Sequence, residues 1–146
     1  MSIYCTPEDI ETHISTATLI QLTNDSGTQD SIDTTVLEES LIYSSTLIDG
    51  YLRGKYTLPL NTHFPLLRVV SIDLSIYRLY SRRVYTDIPE TICDNYKNAI
   101  KTLEQLKKGI ITLETQDDEP IKSSGEYRTN KDFSDRLFSK QKMSEF

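Results

Sequence analysis

The first 52 residues contain neither lysine nor arginine. A secretory leader needs a basic start and an apolar middle. MSIYCTPEDIE has neither, so no such signal is expected there. No apolar run approaches the roughly 18 residues that cross a bilayer, which argues against a transmembrane helix. Cysteine is scarce: Cys5 and Cys93 are the only two. They are too few for a disulfide framework or a zinc site, and a reducing cytoplasm is the simplest setting. The five glycines are scattered, so no glycine-rich phosphate loop exists. His13 and His63 fall in different elements without metal-ligand spacing. Asp25, Asp30 and Asp33 share an acidic loop that lacks the EF-hand pattern and its closing Glu. Glu38 and Glu39 have the look of the paired acids of helical nucleotide pyrophosphohydrolases, but no second acidic pair follows four residues later. Cys93 reads as a packing cysteine rather than a nucleophile. The expectation is a protein that is not an enzyme, with no cofactor, metal, membrane or small-molecule substrate.

What is present is 146 residues of mass 16.8 kDa, a length that suits one domain and a real hydrophobic core. The net charge is -6 and the isoelectric point about 4.9, which argues against a general nucleic-acid binder. The charge is segregated. Residues 1–52 carry -9, residues 53–85 carry +5, residues 86–121 carry -4 and residues 122–146 carry +2. The plain interpretation is a set of solvated faces. The sharper one is a surface complementary to a second copy of the chain.

Helix signals recur along the chain. Thr6-Pro7-Glu8-Asp9 starts a short helix that ends near His13 or Ile14. Ala17–Leu22 adds one or two further turns. A long helix is predicted from about Asp33 to Arg53. Leu37, Leu41, Ile48, Tyr51 and Leu52 share one face of it, with Ser44 and Ser45 in the middle of that face. Small residues there let a partner helix approach closely. Gly54 is placed to end the helix in the left-handed region. Residues 55–65, with two prolines, form a connection. Phe64–Arg82 is predicted to be a central, buried helix, because only Arg68, Ser71, Ser75, Arg78 and Arg82 make a polar stripe. A last long helix spans Pro89 to Lys108, with Ile92, Tyr96, Ala99, Ile100, Leu103 and Leu106 as its seam and Gly109 as terminator. Ile110–Leu113 is a possible short strand.

The predicted fold class is therefore mainly α, a small bundle of four to five helices over residues 1–113, with a possible short β segment. Residues 114–146 read as a flexible linker and an extended C-terminal arm. The polar stretch after residue 113 is too hydrophilic to join a core. Phe133, Leu137, Phe138, Met143 and Phe146 then return as apolar anchors. Phe133 and Leu137 are four apart, so one helical turn presents both on one side. The arm is expected to be mobile in the isolated chain and to bind a neighbouring subunit or a partner protein. The alternative is that it folds back over the seam of the last helix.

Asp73 lies opposite the polar stripe of the central helix. A lone carboxylate on a buried side is costly, so an ion pair is expected, with Arg53 or Lys55 as partner.

Several strings are more specific than periodicity. Tyr4-Cys5-Thr6-Pro7-Glu8-Asp9-Ile10 is followed by Leu19-Ile20-Gln21-Leu22-Thr23-Asn24-Asp25. Ile48-Asp49-Gly50-Tyr51-Leu52 and Tyr56-Thr57-Leu58-Pro59-Leu60 come next, then Asp73, Tyr77, Leu79 and Tyr80. The chain finishes with Phe133-Ser134 and Met143-Ser144-Glu145-Phe146. In this order they resemble a family of small structural proteins of Mu-like phages and prophages, encoded between the major capsid and tail genes. Family members often carry Arg at the position of Lys55 and alanines at those of Ser44 and Ser45. The family is similar to helical head–tail connectors, or adaptors, of long-tailed phages.

The resemblance implies a virion assembly protein at the head–tail neck, in rings commonly of about twelve copies, with arms that reach neighbouring subunits. Its implied partners are further copies of itself, the portal protein and a tail-proximal neck protein. Host cytoplasm would be its place before assembly and the virion neck after it. DNA would pass through without specific binding, and Glu8, Glu11, Glu38 and Glu39 are the acids expected to line or rim the channel. The competing class is a small phage-encoded DNA-binding regulator, with Arg78, Arg82 and Arg83 meeting phosphates. Against that class stand the acidity of the chain and the apolar character of the helix that carries them.

Overall fold

The computed structural model describes residues 4–113 except 26, 28, 29, 61 and 84–86, and the statements below concern those residues. They form five helices: α1 (Pro7–His13), α2 (Thr16–Thr23), α3 (Thr34–Leu52), α4 (Pro65–Ser81) and α5 (Glu90–Lys108). The protein is mainly α, a small helical bundle, as the periodicity predicts. Linker and arm residues 114–146, with Phe133, Leu137, Phe138, Met143 and Phe146, lie outside the described residues.

Local signals set the helix ends. Pro7 occupies the first turn of α1, and the Asp9 carboxylate reaches back to the Thr6 N–H at 2.9 Å. Ser15 caps α2 through the Thr18 N–H, and Asp33 caps α3 through the Thr35 and Val36 N–H groups. Gly109 ends α5 in the left-handed region at φ 77°. Gly54 does not do the same for α3. Arg53 stays right-handed, and the amides of Lys55 and Tyr56 both bond the Leu52 carbonyl at 2.9 Å. That carbonyl is already satisfied, so no left-handed residue is required. The expected strand at Ile110–Leu113 is likewise not formed. The segment has no partner strand among the described residues. Ile110 is exposed, while Leu113 is buried with its N–H bonded to the Tyr56 hydroxyl at 3.1 Å.

α3 and α4 form an antiparallel pair at the centre. The α1–α2 end is filled by Ile10, Leu19, Leu22, Leu37, Leu41, Ile72, Ile76 and Leu79. The α5 end is filled by Ile48, Leu52, Leu67, Val70, Leu74, Ala99, Leu103 and Leu106. Between these two apolar clusters the helices meet through serines. Ser44 Oγ is 2.9 Å from Ser71 Oγ, and Ser75 Oγ donates to Ser44 Oγ at 2.9 Å. Ser44 and Ser40 also bond the Leu41 and Leu37 carbonyls of their own helix. Cys5 Sγ joins the chain of contacts at 3.1 Å from Ser71 Oγ, and burial pushes its thiol pKa up.

This contact inverts the expected phase of α4. Ser71 and Ser75 are fully buried against α3 rather than solvated. The supposedly covered side opens instead: Leu66 is 38% and Val69 56% exposed, and Asp73 is half-buried. A serine is polar enough to mark a wet face and small enough to mark a tight one, and here its size decides.

Ser45 is 1% exposed, and its hydroxyl has no hydrogen-bond partner among the described residues. An orphaned buried hydroxyl costs about 1–3 kcal/mol, whereas a bonded one contributes about 1 kcal/mol. Ser45→Ala is therefore expected to stabilise the fold by ~1 kcal/mol, and Ser44→Ala to destabilise it by a similar amount. Chemical denaturation of the two variants measures this. Equal effects of the same sign would contradict it.

Candidate functional site

The polar stripe of α4 has serines at its middle, where it touches α3, and arginines towards its ends, where they reach round the neighbouring helix. Arg68 pairs with Asp9 of α1. Arg82 grips Asp25 with both nitrogens, at 2.9 and 2.6 Å, and also donates to the Leu22 carbonyl at 3.0 Å. Arg83 bonds the Asn24 carbonyl and lies 3.4 Å from Asp25. Arg78 sits over the Tyr43 ring, 4.9 Å from its centre. The opposite charges of residues 1–52 and 53–85 thus meet within one chain. These pairs also engage the arginines on which a DNA-binding reading depends. Bidentate recognition and stacking hold a guanidinium to one partner far better than a point charge does.

Asp9 is the acid that the sequence reading passed over. It serves the N-terminus of its own helix and the Arg68 pair at once. The Arg68 hydrogen bond, and then the Thr6 backbone, hold its carboxyl down at about 2. Its position three residues after Thr6, within a capping signature, was the available clue. The pair lies at the edge of a cleft of about 570 Å³, bounded by Tyr4–Thr6 on one side and by Pro59, Leu60 and Thr62–Pro65 on the other. His63 lines this cleft. His13 is elsewhere, its Nδ1 donating to the Asp9 carbonyl at 2.8 Å. Among the described residues no group of His, Cys, Asp and Glu converges as a metal site.

The expected pair of Asp73 with Arg53 or Lys55 is not formed. Because the serines face α3, Asp73 points away from the end of α3 that leads to those cations. Arg53 is exposed. Lys55 runs past the C-terminal end of α5, where its Nζ would lie 2.8 Å from a Cβ added at Gly109. A cation suits that negative helix end. Burial raises the pKa of Asp73, and His13 is the charge that acts in the opposite direction. Asp73 has no salt bridge among the described residues.

Glu8 and Glu11 on α1, and Glu38 and Glu39 on α3, are all exposed. None forms a salt bridge among the described residues. A tyrosine cluster, also missed, joins the helices nearby. Tyr77 of α4 stacks on Tyr96 of α5 with ring centres 3.9 Å apart.

The site is thus a set of arginine contacts across the helices: Arg68 reaches Asp9, Arg78 the Tyr43 ring, and Arg82 and Arg83 the Asn24–Asp25 loop. The family of the chain follows from comparison with known proteins. The sequence profile described as "Bacteriophage Mu, Gp36" matches residues 4–131, and the chain belongs to that family. It is also similar to the Mu-like prophage FluMu protein gp36 of Haemophilus influenzae (strain KW20 / Rd), with 32% identity over 89 residues. That match covers 61% of this chain and 60% of the relative, so the chain spans about three-fifths of that protein's length.

The two carboxylates respond oppositely to pH. Asp9 has its pKa lowered from 3.8 to about 2 in the folded chain. Between those values the unfolded chain takes up a proton that the folded chain refuses, so stability falls as the solution is acidified. Asp9→Asn is expected to lower stability at neutral pH and to flatten the acid limb. Asp73 has its folded pKa raised, so its charge weakens the fold once the pH exceeds the ordinary carboxylate range. At dilution, where the chain is not self-associated, Asp73→Asn is expected to raise the neutral-pH melting temperature, with the gain vanishing in acid. A drop on Asp73→Asn would restore the ion-pair expectation.

Proposed function

We propose that this chain is a non-enzymatic neck subunit of a Mu-like phage particle. Copies form a ring between the portal protein and a tail-proximal neck protein, and DNA passes through the ring without specific binding. The observation that carries the reading is membership of the Mu Gp36 family by a helical domain in which Arg68, Arg78, Arg82 and Arg83 are engaged within the chain. Exposed acids on α1 and α3 are compatible with a wall that repels phosphates, because a fixed negative surface keeps a duplex from adhering. The chain resides in the host cytoplasm before assembly and at the virion neck after it.

Electron microscopy of the purified protein mixed with portal tests this directly. A ring of extra density on the tail-facing side of the portal is the expected result, with at least some of Glu8, Glu11, Glu38 and Glu39 towards the channel. Those four acids all on the outer wall would remove the channel-lining part of the reading. No association with portal, together with a duplex-DNA gel shift that weakens steeply with salt, would replace it with the DNA-binding regulator.

A further inference from the structure

The covered and open sides of α4 leave one surface unexplained. Ser71 and Ser75 face α3. Leu67, Val70 and Leu74 pack in the α5 cluster, and Ile72, Ile76 and Leu79 in the α1–α2 cluster. At 100° per residue, Leu66, Val69 and Asp73 fall together on the remaining arc, opposite α3. Two of these are large apolar side chains left in water. The third is a half-buried carboxylate with no cation paired to it among the described residues. Within the chain, His13 is the one charge that acts on Asp73, and it forms no salt bridge with it among the described residues. An apolar surface with one half-buried acid suits a short amphipathic segment bearing one base.

The chain itself contains such a segment. Phe133 and Leu137 are separated by Ser134-Asp135-Arg136. On one helical turn they would lie on one side, with Arg136 beside Leu137 at the position three after Phe133. The stretch from residue 122 onward is the basic end of the chain, at +2. The described domain ends at Leu113, which is held by burial and by the Tyr56 hydroxyl. The 19 residues from there to Phe133 reach up to roughly 65 Å when extended. Connections inside a compact domain mostly take about 4–6 residues. A polar spacer of this length gives reach to another molecule, which a return to the chain's own surface does not require.

We propose that the Leu66–Val69–Asp73 face of α4 is the seat for residues 133–137 of a second copy, with Phe133 and Leu137 covering Leu66 and Val69 and Arg136 pairing with Asp73. The inference rests on the reading that copies of this chain assemble, and it adds which surface receives which segment. The contact is heterologous: one surface of a copy meets a different surface of the next. Repeated with rotational closure, such contacts make a ring.

Disulfide trapping in the isolated full-length protein tests the seat without portal. Two differently tagged chains, both with Cys5→Ala and Cys93→Ser, carry Val69→Cys in one and Leu137→Cys in the other. Mixed, concentrated and oxidised, they are expected to give a mixed dimer about tenfold above a control with Lys101→Cys in place of Val69→Cys. No excess over the control overturns the proposal. So does an internal disulfide, in place of linked copies, when one chain carries both cysteines, because the face then belongs to the chain's own tail.

A charge exchange gives a second readout that keeps the native cysteines. Asp73→Arg or Arg136→Asp alone is expected to weaken concentration-dependent self-association about tenfold, the equivalent of ~1.4 kcal/mol, and the two together to restore it. Additive losses in the double variant overturn the pairing. A chain that fails to bind portal yet traps the mixed dimer removes the neck reading and leaves this contact standing. A ring on the portal without the cross-link does the reverse.

Discussion

The close contact of α3 with α4 through Ser40, Ser44, Ser71 and Ser75 governs the rest of the molecule. Serine hydroxyls at 2.9 Å from one another require the two backbones to come near, and side chains as large as leucine would hold them apart. With that contact made, the rotation of α4 about its axis is fixed. Its two apolar flanks then face α1–α2 and α5, so each end of the pair acquires a separate hydrophobic cluster. The serines contribute little net energy themselves, since a bonded hydroxyl exchanges one partner for another. Their role is geometric, and the flanking leucines and isoleucines supply the burial that drives the fold.

The same rotation distributes the charge. Arg68, Arg78 and Arg82 emerge along the edges of the α3–α4 contact and find Asp9, Tyr43 and Asp25 within reach. Three of the arginines of residues 53–85 are thereby engaged within the chain, and the acids Glu8, Glu11, Glu38 and Glu39 on α1 and α3 stay exposed. This bears on function in a physical way. A protein that lets a duplex pass needs few free guanidinium groups near the phosphates, because each such contact strengthens non-specific binding. Under the proposed neck role, the engagement of Arg78, Arg82 and Arg83 within the chain leaves fewer free guanidinium groups for a passing duplex.

Much of the fold was legible in the sequence. Helix ends are local events, and Thr6-Pro7, Asp33 and Gly109 marked three of them, whereas Ser15 as the cap of α2 was not read and Gly54 did not take the left-handed role expected of it. The leucine and isoleucine spacing identified the seams of α3 and α5. Ser44 and Ser45 were legible as a site of close approach, because they interrupt an otherwise apolar face of α3, whereas Ser71 and Ser75 alternate with arginines and so read as a wet stripe. Asp73 was not legible. Its pairing was inferred from the assumption that the serine stripe faced water, and the stripe faces α3. The Asp9–Arg68 pair was also hidden, because it spans 59 residues and no local pattern relates the two.

What the sequence by itself determined is therefore helix content, helix boundaries, the segregation of charge and membership of the Mu Gp36 family. All of these rest on residues close together in the chain or on strings that comparison can read. Tertiary structure alone decided the rotation of α4, the partners of its arginines, the placement of Asp73 away from Arg53 and Lys55, and the exposure of Leu66 and Val69. Each depends on which of two acceptable faces a helix turns to its neighbour. That choice is made by the fit of small side chains across a contact, which hydrophobic periodicity along one strand of sequence does not encode.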